Sequence, residues 1–218
     1  MDGPDNMYIP TSFRVSDERT MFSFIERYDF GTVVTSSPHD GMIATHVPLL
    51  LRHVGDRSVL LGHLARANEH WRYFDGKTPA LVIFQGPHGY VSPGWYATTP
   101  AVPTWNYAVV HVYGRPLATE DRQVTSDVLE ALVHKYESHR AHPYRTEELP
   151  QSFYEQMMNR IVAFEMPIDK IESKFKLGQN RSQEDREGTI KGLVAEGSPA
   201  AGALAALMRE HTKAGSDV

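Results

Sequence analysis

Flat rings and imidazoles crowd residues 86–114, GPHGYVSPGWYATTPAVPTWNYAVVHVYG. These 29 residues hold two of the chain's three tryptophans, four tyrosines, two histidines and four prolines. An ordinary core segment would be aliphatic and periodic. Rings on a proline-stiffened backbone instead suit a wall that grips a planar ligand or a partner subunit. On an extended backbone Tyr107 and His111 share one face, opposite Ala108 and Val110. That contrast predicts that one side of the strand meets a ligand or a second subunit.

A second constellation surrounds His63. Eleven histidines and no cysteine leave imidazole as the main soft ligand, and an imidazole can bind metal or haem, shuttle a proton or sit satisfied in a core. No HExxH spacing occurs; His139 and His142 sit at a frayed helix end, and His39, His53 and His211 fall in turns or near the tail. His63 ends a predicted strand and is followed at once by Arg66, Asn68 and His70 on a turn into a short helix. Outward N–H groups at such a turn, with a forked guanidinium beside them, suit a flavin phosphate or a haem propionate. The alternative is that Arg66 and Asn68 cap the helix and pair with nearby acids. There is no GxGxxG, GxxxxGK[ST] or GxSxG, so nothing marks a dinucleotide fold, a P-loop or a serine nucleophile.

The bulk composition narrows the class. A chain of 218 residues, 41% hydrophobic and 22% charged, suits one domain with an appendage and a real core. No apolar run approaches the roughly 20 residues of a membrane span. The start, MDGPDNMYIP, lacks a basic region followed by an apolar block, so a cytoplasmic location is expected. Zero cysteines excludes disulfides and thiolate ligation. A net charge of −5 disfavours a protein living on DNA, with residues 170–176 and Arg181 as a local basic exception.

The elements that must position these residues are mostly strands. The pattern predicts strands at 31–36, 45–51, 58–64, 79–85, 108–117, 160–166 and 171–177, with a turn at 38–41. Helices are expected at 16–28, capped by Ser16, at 66–74, and at 121–138 on a stripe of Val124, Val128, Leu129, Leu132, Val133 and Tyr136. Adjacent strands and few peripheral helices argue for a mainly β, α+β architecture: an antiparallel sheet curled into a barrel. Residues 1–182 would form that cofactor-binding domain, and 183–218 a C-terminal helical extension and tail.

The phrases MYIPTSF, ATHVPLLL, GHLARAN, IFQGPHGYVSPGWY, VPTWNYAVVHVYGRP and KFKLGQNRS together resemble the PaiB-like family, over about residues 7–186. That family is described as an FMN-binding, negative transcriptional regulator with a split β-barrel. The resemblance implies a homodimer with the cofactor in a groove between subunits. It also implies an enzymatic branch, the piperazate synthases, which use haem b and form the N–N bond of L-piperazic acid from N5-hydroxy-L-ornithine. The acidic charge and the supply of histidines tilt the reading toward that branch. In it His63 is the axial iron ligand, and Arg66 and Lys176 pair with propionates. Trp95, Trp105 and Tyr107 wall the pocket, and His88 or His111 takes the substrate's proton. In the FMN alternative Arg66, Asn68 and Lys174 or Lys176 hold the phosphate, and DNA is a partner only there. The sequence departs from the family's SPSWY phrase at Gly94.

Overall fold

The computed structural model describes residues 7–37 and 41–214; residues 38–40 of the predicted turn and the tail at 215–218 lie outside them. A three-residue 3-10 turn at Thr11–Phe13 precedes α1, Glu18–Arg27. Asp17, not Ser16, caps α1: its Oδ2 accepts from the Thr20 backbone N–H at 2.9 Å and from the Thr20 hydroxyl at 2.6 Å. The strands follow as β1 Phe30–Ser37, β2 Gly41–Pro48, β3 Leu50–Val54, β4 Arg57–Ala65, β5 Ala80–Val91, β6 Thr104–Gly114 and β7 Leu117–Thr119. After them come α2 Arg122–Glu137, α3 Gln151–Met158, β8 Ile161–Lys176, α4 Gln183–Glu196 and α5 Pro199–Ala214. The strands form one antiparallel sheet curled into a half-barrel, in the order β2-β1-β5-β6-β8-β4-β3, with β7 on β8.

Several boundaries differ from the pattern-based expectation, each for a local reason. The strand expected at 45–51 breaks at Leu49, which is fully buried and donates its N–H to Asp29 O at 2.9 Å. The helix expected at 66–74 contracts to a 3-10 turn, Glu69–Tyr73, because Asn68 caps it late. The two strands expected at 160–166 and 171–177 are one, β8, which runs through Pro167 and the charged pair Asp169-Lys170. Proline fits there because a strand tolerates it wherever no ladder N–H is needed. The helix α3 had no counterpart in the periodicity.

The chain forms two compact units, one drawn from Ile25–Phe84 and His111–Ile171, the other from Met1–Phe24, Gln85–Val110 and Glu172–Val218. In the first, Val128 and Leu132 of α2 pack with Val59 and Leu61 of β4 and Ala163 of β8. Burying two such aliphatic side chains contributes about 1.5–3 kcal/mol each. The α2 stripe is narrower than its pattern: Val124 and Tyr136 are exposed, and Thr125 is buried. Gly62 faces the other side of β4, where a Cβ would come within 3.0 Å of Leu49 and Phe164.

In the second unit α4 packs on α5 and on the turn Pro93–Trp95. Two glycines make that docking possible. A Cβ at Gly188 would lie 2.1 Å from the Trp95 carbonyl oxygen, and one at Gly192 would lie 2.3 Å from the indole. The buried Asp185 closes the arrangement, accepting from Ala97 N–H at 2.8 Å, Thr98 N–H at 3.0 Å and the Thr98 hydroxyl at 2.6 Å. Those bonds hold its carboxyl below the usual carboxylate range.

Candidate functional site

The ring-rich segment builds a wall within the second unit. Along β5 the buried side alternates regularly through Gly86, then slips by one residue at Pro87, whose ring carries no N–H for the ladder. The slip turns Gln85 and His88 toward the same side, where His88 Nδ1 lies 3.3 Å from both Gln85 Nε2 and the Gly86 carbonyl oxygen, its tautomer deciding which of the two it bonds. Along β6 the alternation is unbroken: Asn106, Ala108 and Val110 are buried, and Trp105, Tyr107 and Val109 are not. Gln85, His88, Trp105, Tyr107, Ala108 and Val109 thus line an open cavity of about 370 Å³. The His88 ring lies 6.4 Å from Trp105 at 30°, and Tyr90 meets the same indole edge-on at 6.3 Å. Trp105 itself is 54% exposed, so a flat face is presented to whatever enters.

Cations flank this wall. Lys174 and Lys176 are two apart on β8 and so share a side. Lys174 donates to Tyr8 O at 2.9 Å, and its ammonium sits 5.5 Å from the centre of the Tyr107 ring. Lys176 donates to the Thr104 hydroxyl. Partial burial, foremost, pulls the Lys176 ammonium below its usual range; Tyr107 opposes that pull, and the charges of Lys174 and Arg181 add to it. The Arg181 guanidinium lies 4.4 Å over the Tyr96 ring. Tyr107 is the hinge of the arrangement, lining the cavity on one side and meeting Lys174 on the other.

Of the residues singled out from the sequence, His88, Trp105, Tyr107, Lys174 and Lys176 come together here. Trp95 lies in the same unit, but its indole is packed on the Gly192 backbone. Sequence reasoning passed over Gln85, Thr104 and Asp185; only the slip at Pro87 could have pointed to Gln85. Gly94 has room for a side chain, its nearest neighbour being Ser92 Oγ at 3.5 Å, so the departure from SPSWY changes little in space.

The other candidates lie in the first unit. His63 sits half-buried on β4 opposite Ala163. Its Nδ1 is buried with no hydrogen-bond partner among the described residues. Burial lowers its pKa and keeps the imidazole neutral. Arg66 and Asn68, expected to seat an anion, are engaged by the fold. Arg66 Nε donates to Asn159 O at 3.0 Å, one terminal nitrogen donates to Ile161 O at 3.3 Å, and the other meets Glu120 at 3.5 Å. Asn68 accepts from His70 N–H at 3.2 Å and donates to the Thr45 hydroxyl at 3.1 Å. His70 is held at both nitrogens, 2.8 Å from the hydroxyls of Thr35 and Thr45. His111 is half-buried on β6 with its ring 6.4 Å from Tyr113. A larger cavity of about 640 Å³, lined by Glu130, His134, Glu137, Tyr144 and Glu148, lies in this unit; it carries no ring wall and no unspent cation cluster. Among the described residues no group of three or more His, Asp or Glu side chains is placed to hold a metal ion.

Comparison with known proteins bears on the family and the fold. Residues 7–170 match the model of an FMN-binding domain. The chain is 37% identical over 207 residues to the protease synthase and sporulation protein PAI 2 of Bacillus subtilis, covering 95% of this chain and 99% of that one. It is 31% identical over 157 residues to the uncharacterized protein YKL070W of Saccharomyces cerevisiae, covering 62% of this chain and 92% of that one. Among solved structures, the flavocytochrome Anf3 of Azotobacter vinelandii superposes with a TM-score of 0.58 at 15% identity, over 84% of this chain and 80% of that one. The FAD and heme binding protein of Mycobacterium smegmatis gives 0.58 at 18% identity, over 85% and 80%. At such identities the likeness concerns the fold alone.

Proposed function

Because the chain belongs to the FMN-binding domain family, we propose that it binds flavin mononucleotide on the wall of Trp105, Tyr107 and His88. The observation that carries this reading is the meeting, at Tyr107, of an exposed ring wall with a cluster of three cations. The wall offers a face for the flat ring system, and Lys174, Lys176 and Arg181 offer charge to the phosphate. When bound, such a flavin supplies hydride and single-electron transfer. The protein's part is to hold the ring against Trp105 and to draw the phosphate toward Lys176, with Gln85 and His88 as polar contacts at the rim. Two copies of the chain form the assembly we propose, to be checked by light scattering.

The test is reconstitution of the purified chain with flavin mononucleotide, followed by its visible band and by quenching of its fluorescence. Binding should weaken in Trp105→Ala and in Lys176→Met. Full affinity in both variants, or no binding by the native chain, would overturn the reading.

A second reading is favoured by one feature, the neutral imidazole of His63 with its buried, partnerless Nδ1. In this reading the cofactor is haem b with His63 as axial ligand. The reaction would be closure of N5-hydroxy-L-ornithine to L-piperazic acid with loss of water, and His111, in the same unit as His63, would move the proton. A Soret band that is abolished by His63→Ala, in a chain that binds no flavin, would favour it. A salt-sensitive DNA shift with bound flavin would instead point to a regulator.

A further inference from the structure

We propose that Lys176 is a reactive amine that forms a reversible imine with a flat aromatic aldehyde bearing a phosphate or carboxylate. The inference shares the site of the flavin reading, and rests on that reading only for the affinity of the wall for flat rings. Four features of the second unit carry it.

Lys176 ends β8 half-buried, with Nζ held by the Thr104 hydroxyl, which can stay bonded to an amine as well as to an ammonium. The charged and titratable groups that act on it most are the Tyr107 phenol and the cations Lys174 and Arg181. Lys174 is kept in place by Tyr8 O and the faces of Tyr8 and Tyr107, and Arg181 by the face of Tyr96. The open cavity with Trp105 and Tyr107 in its lining begins at the same tyrosine.

Like charges beside a partly desolvated lysine favour the free amine, which is the nucleophilic form. The same charges attract an anionic electrophile, and clefts of one sign raise the local concentration of the opposite ion by about tenfold or more. In the reaction Nζ bonds to the aldehyde carbon, and the carbonyl oxygen leaves as water with two hydrogens from the ammonium-derived amine. No electrons are exchanged, and no co-reactant is needed.

Pyridoxal 5′-phosphate is the probe, with borohydride used afterwards to reduce the imine to a stable amine for peptide mapping. We expect Lys176 to be labelled about tenfold or more above Lys77, Lys135, Lys170 and Lys191 of the same native chain, as the local concentration effect predicts. Unphosphorylated pyridoxal should label it at least several-fold less. Labelling should fall in Arg181→Gln and vanish at this position in Lys176→Arg. Even labelling of all lysines, or preference for Lys174, would overturn the proposal, and native-chain mapping decides this whether or not a variant folds. Selective labelling in a chain that binds no flavin would keep this inference and sink the flavin reading. Flavin binding that leaves Lys176 unlabelled in the flavin-free chain would do the reverse.

Discussion

Replacing Gly192 by alanine tests the docking of the ring-rich loop on α4, because two opposing effects have different signs. Inside an exposed helix the exchange of glycine for alanine stabilises by about 1 kcal/mol. At Gly192, however, the new methyl would meet the Trp95 indole at 2.3–2.5 Å, where contacts between carbons ordinarily lie at about 3.5–4.0 Å. The indole, or α4, must give by about 1 Å, and overpacking of that kind costs about 1–3 kcal/mol. Gly202 in α5 is the control, since a Cβ there meets nothing within 4 Å. Most of the propensity gain cancels between the two variants, so Gly192→Ala should be less stable than Gly202→Ala by about 1–3 kcal/mol. For a chain of this size that is a melting-temperature gap of about 2–12 °C, at 2–4 °C per kcal/mol. Thermal unfolding followed by tryptophan emission reads both the gap and the displaced indole. If both variants rise equally, Trp95 is not seated on α4, and the account of this unit fails.

The two tryptophans of the ring-rich segment should behave oppositely: Trp105→Ala should weaken flavin binding by about 2- to 12-fold, the worth of one aromatic contact, while Trp95→Ala should lower the melting temperature and leave the bound fraction unchanged at saturation. Arg66→Leu should cost about 1 kcal/mol of stability, because the two carbonyls it serves become partly unsatisfied, yet leave flavin affinity intact in the same titration; loss of affinity would restore it as an anion seat. Burial lowers the pKa of His63, as it does for His70 and His211. The unfolded chain therefore takes protons that the folded chain resists, so stability is full above the ordinary histidine value of 6.5 and declines as the pH falls below it. Urea midpoints on either side of that value should show the decline, and His63→Gln should flatten it. Asp185→Ala should lower the melting temperature and raise the proteolytic sensitivity of residues 92–100, and equal cleavage of the two chains would count against its role as the loop's anchor.

How far the residues announced all this depends on whether their message was local. Strand alternation is local, so β6, with Tyr107 on the side away from Ala108, followed from period two alone. So did the antiparallel, curled sheet, because neighbouring strands with short connections leave few other folds. Residue type carried the chemistry less far. Arg66 and Lys176 are both cations near strand ends, and both were expected at an anion. The fold engages the first with the carbonyls of Asn159 and Ile161, more than ninety residues away, and holds the second against a hydroxyl. No spacing near Arg66 could reveal partners at that separation. Trp95 and Trp105 are a sharper case, since composition and neighbours are alike. The difference lies in Gly188 and Gly192, whose missing side chains make a seat for one indole and none for the other. A helix glycine reads in sequence as a weak helix former, and its meaning as a docking site appears only when the loop that fills it is in place. The cation cluster was visible as a run of lysines, but a run of lysines is usually a solvated edge. What removes Lys176 from that class is a hydroxyl at Thr104 and a phenol at Tyr107, contributed by another strand. Pairing across the sheet, which no single segment encodes, is therefore what brings these lysines to the hydroxyl and the phenol on which both proposals rest.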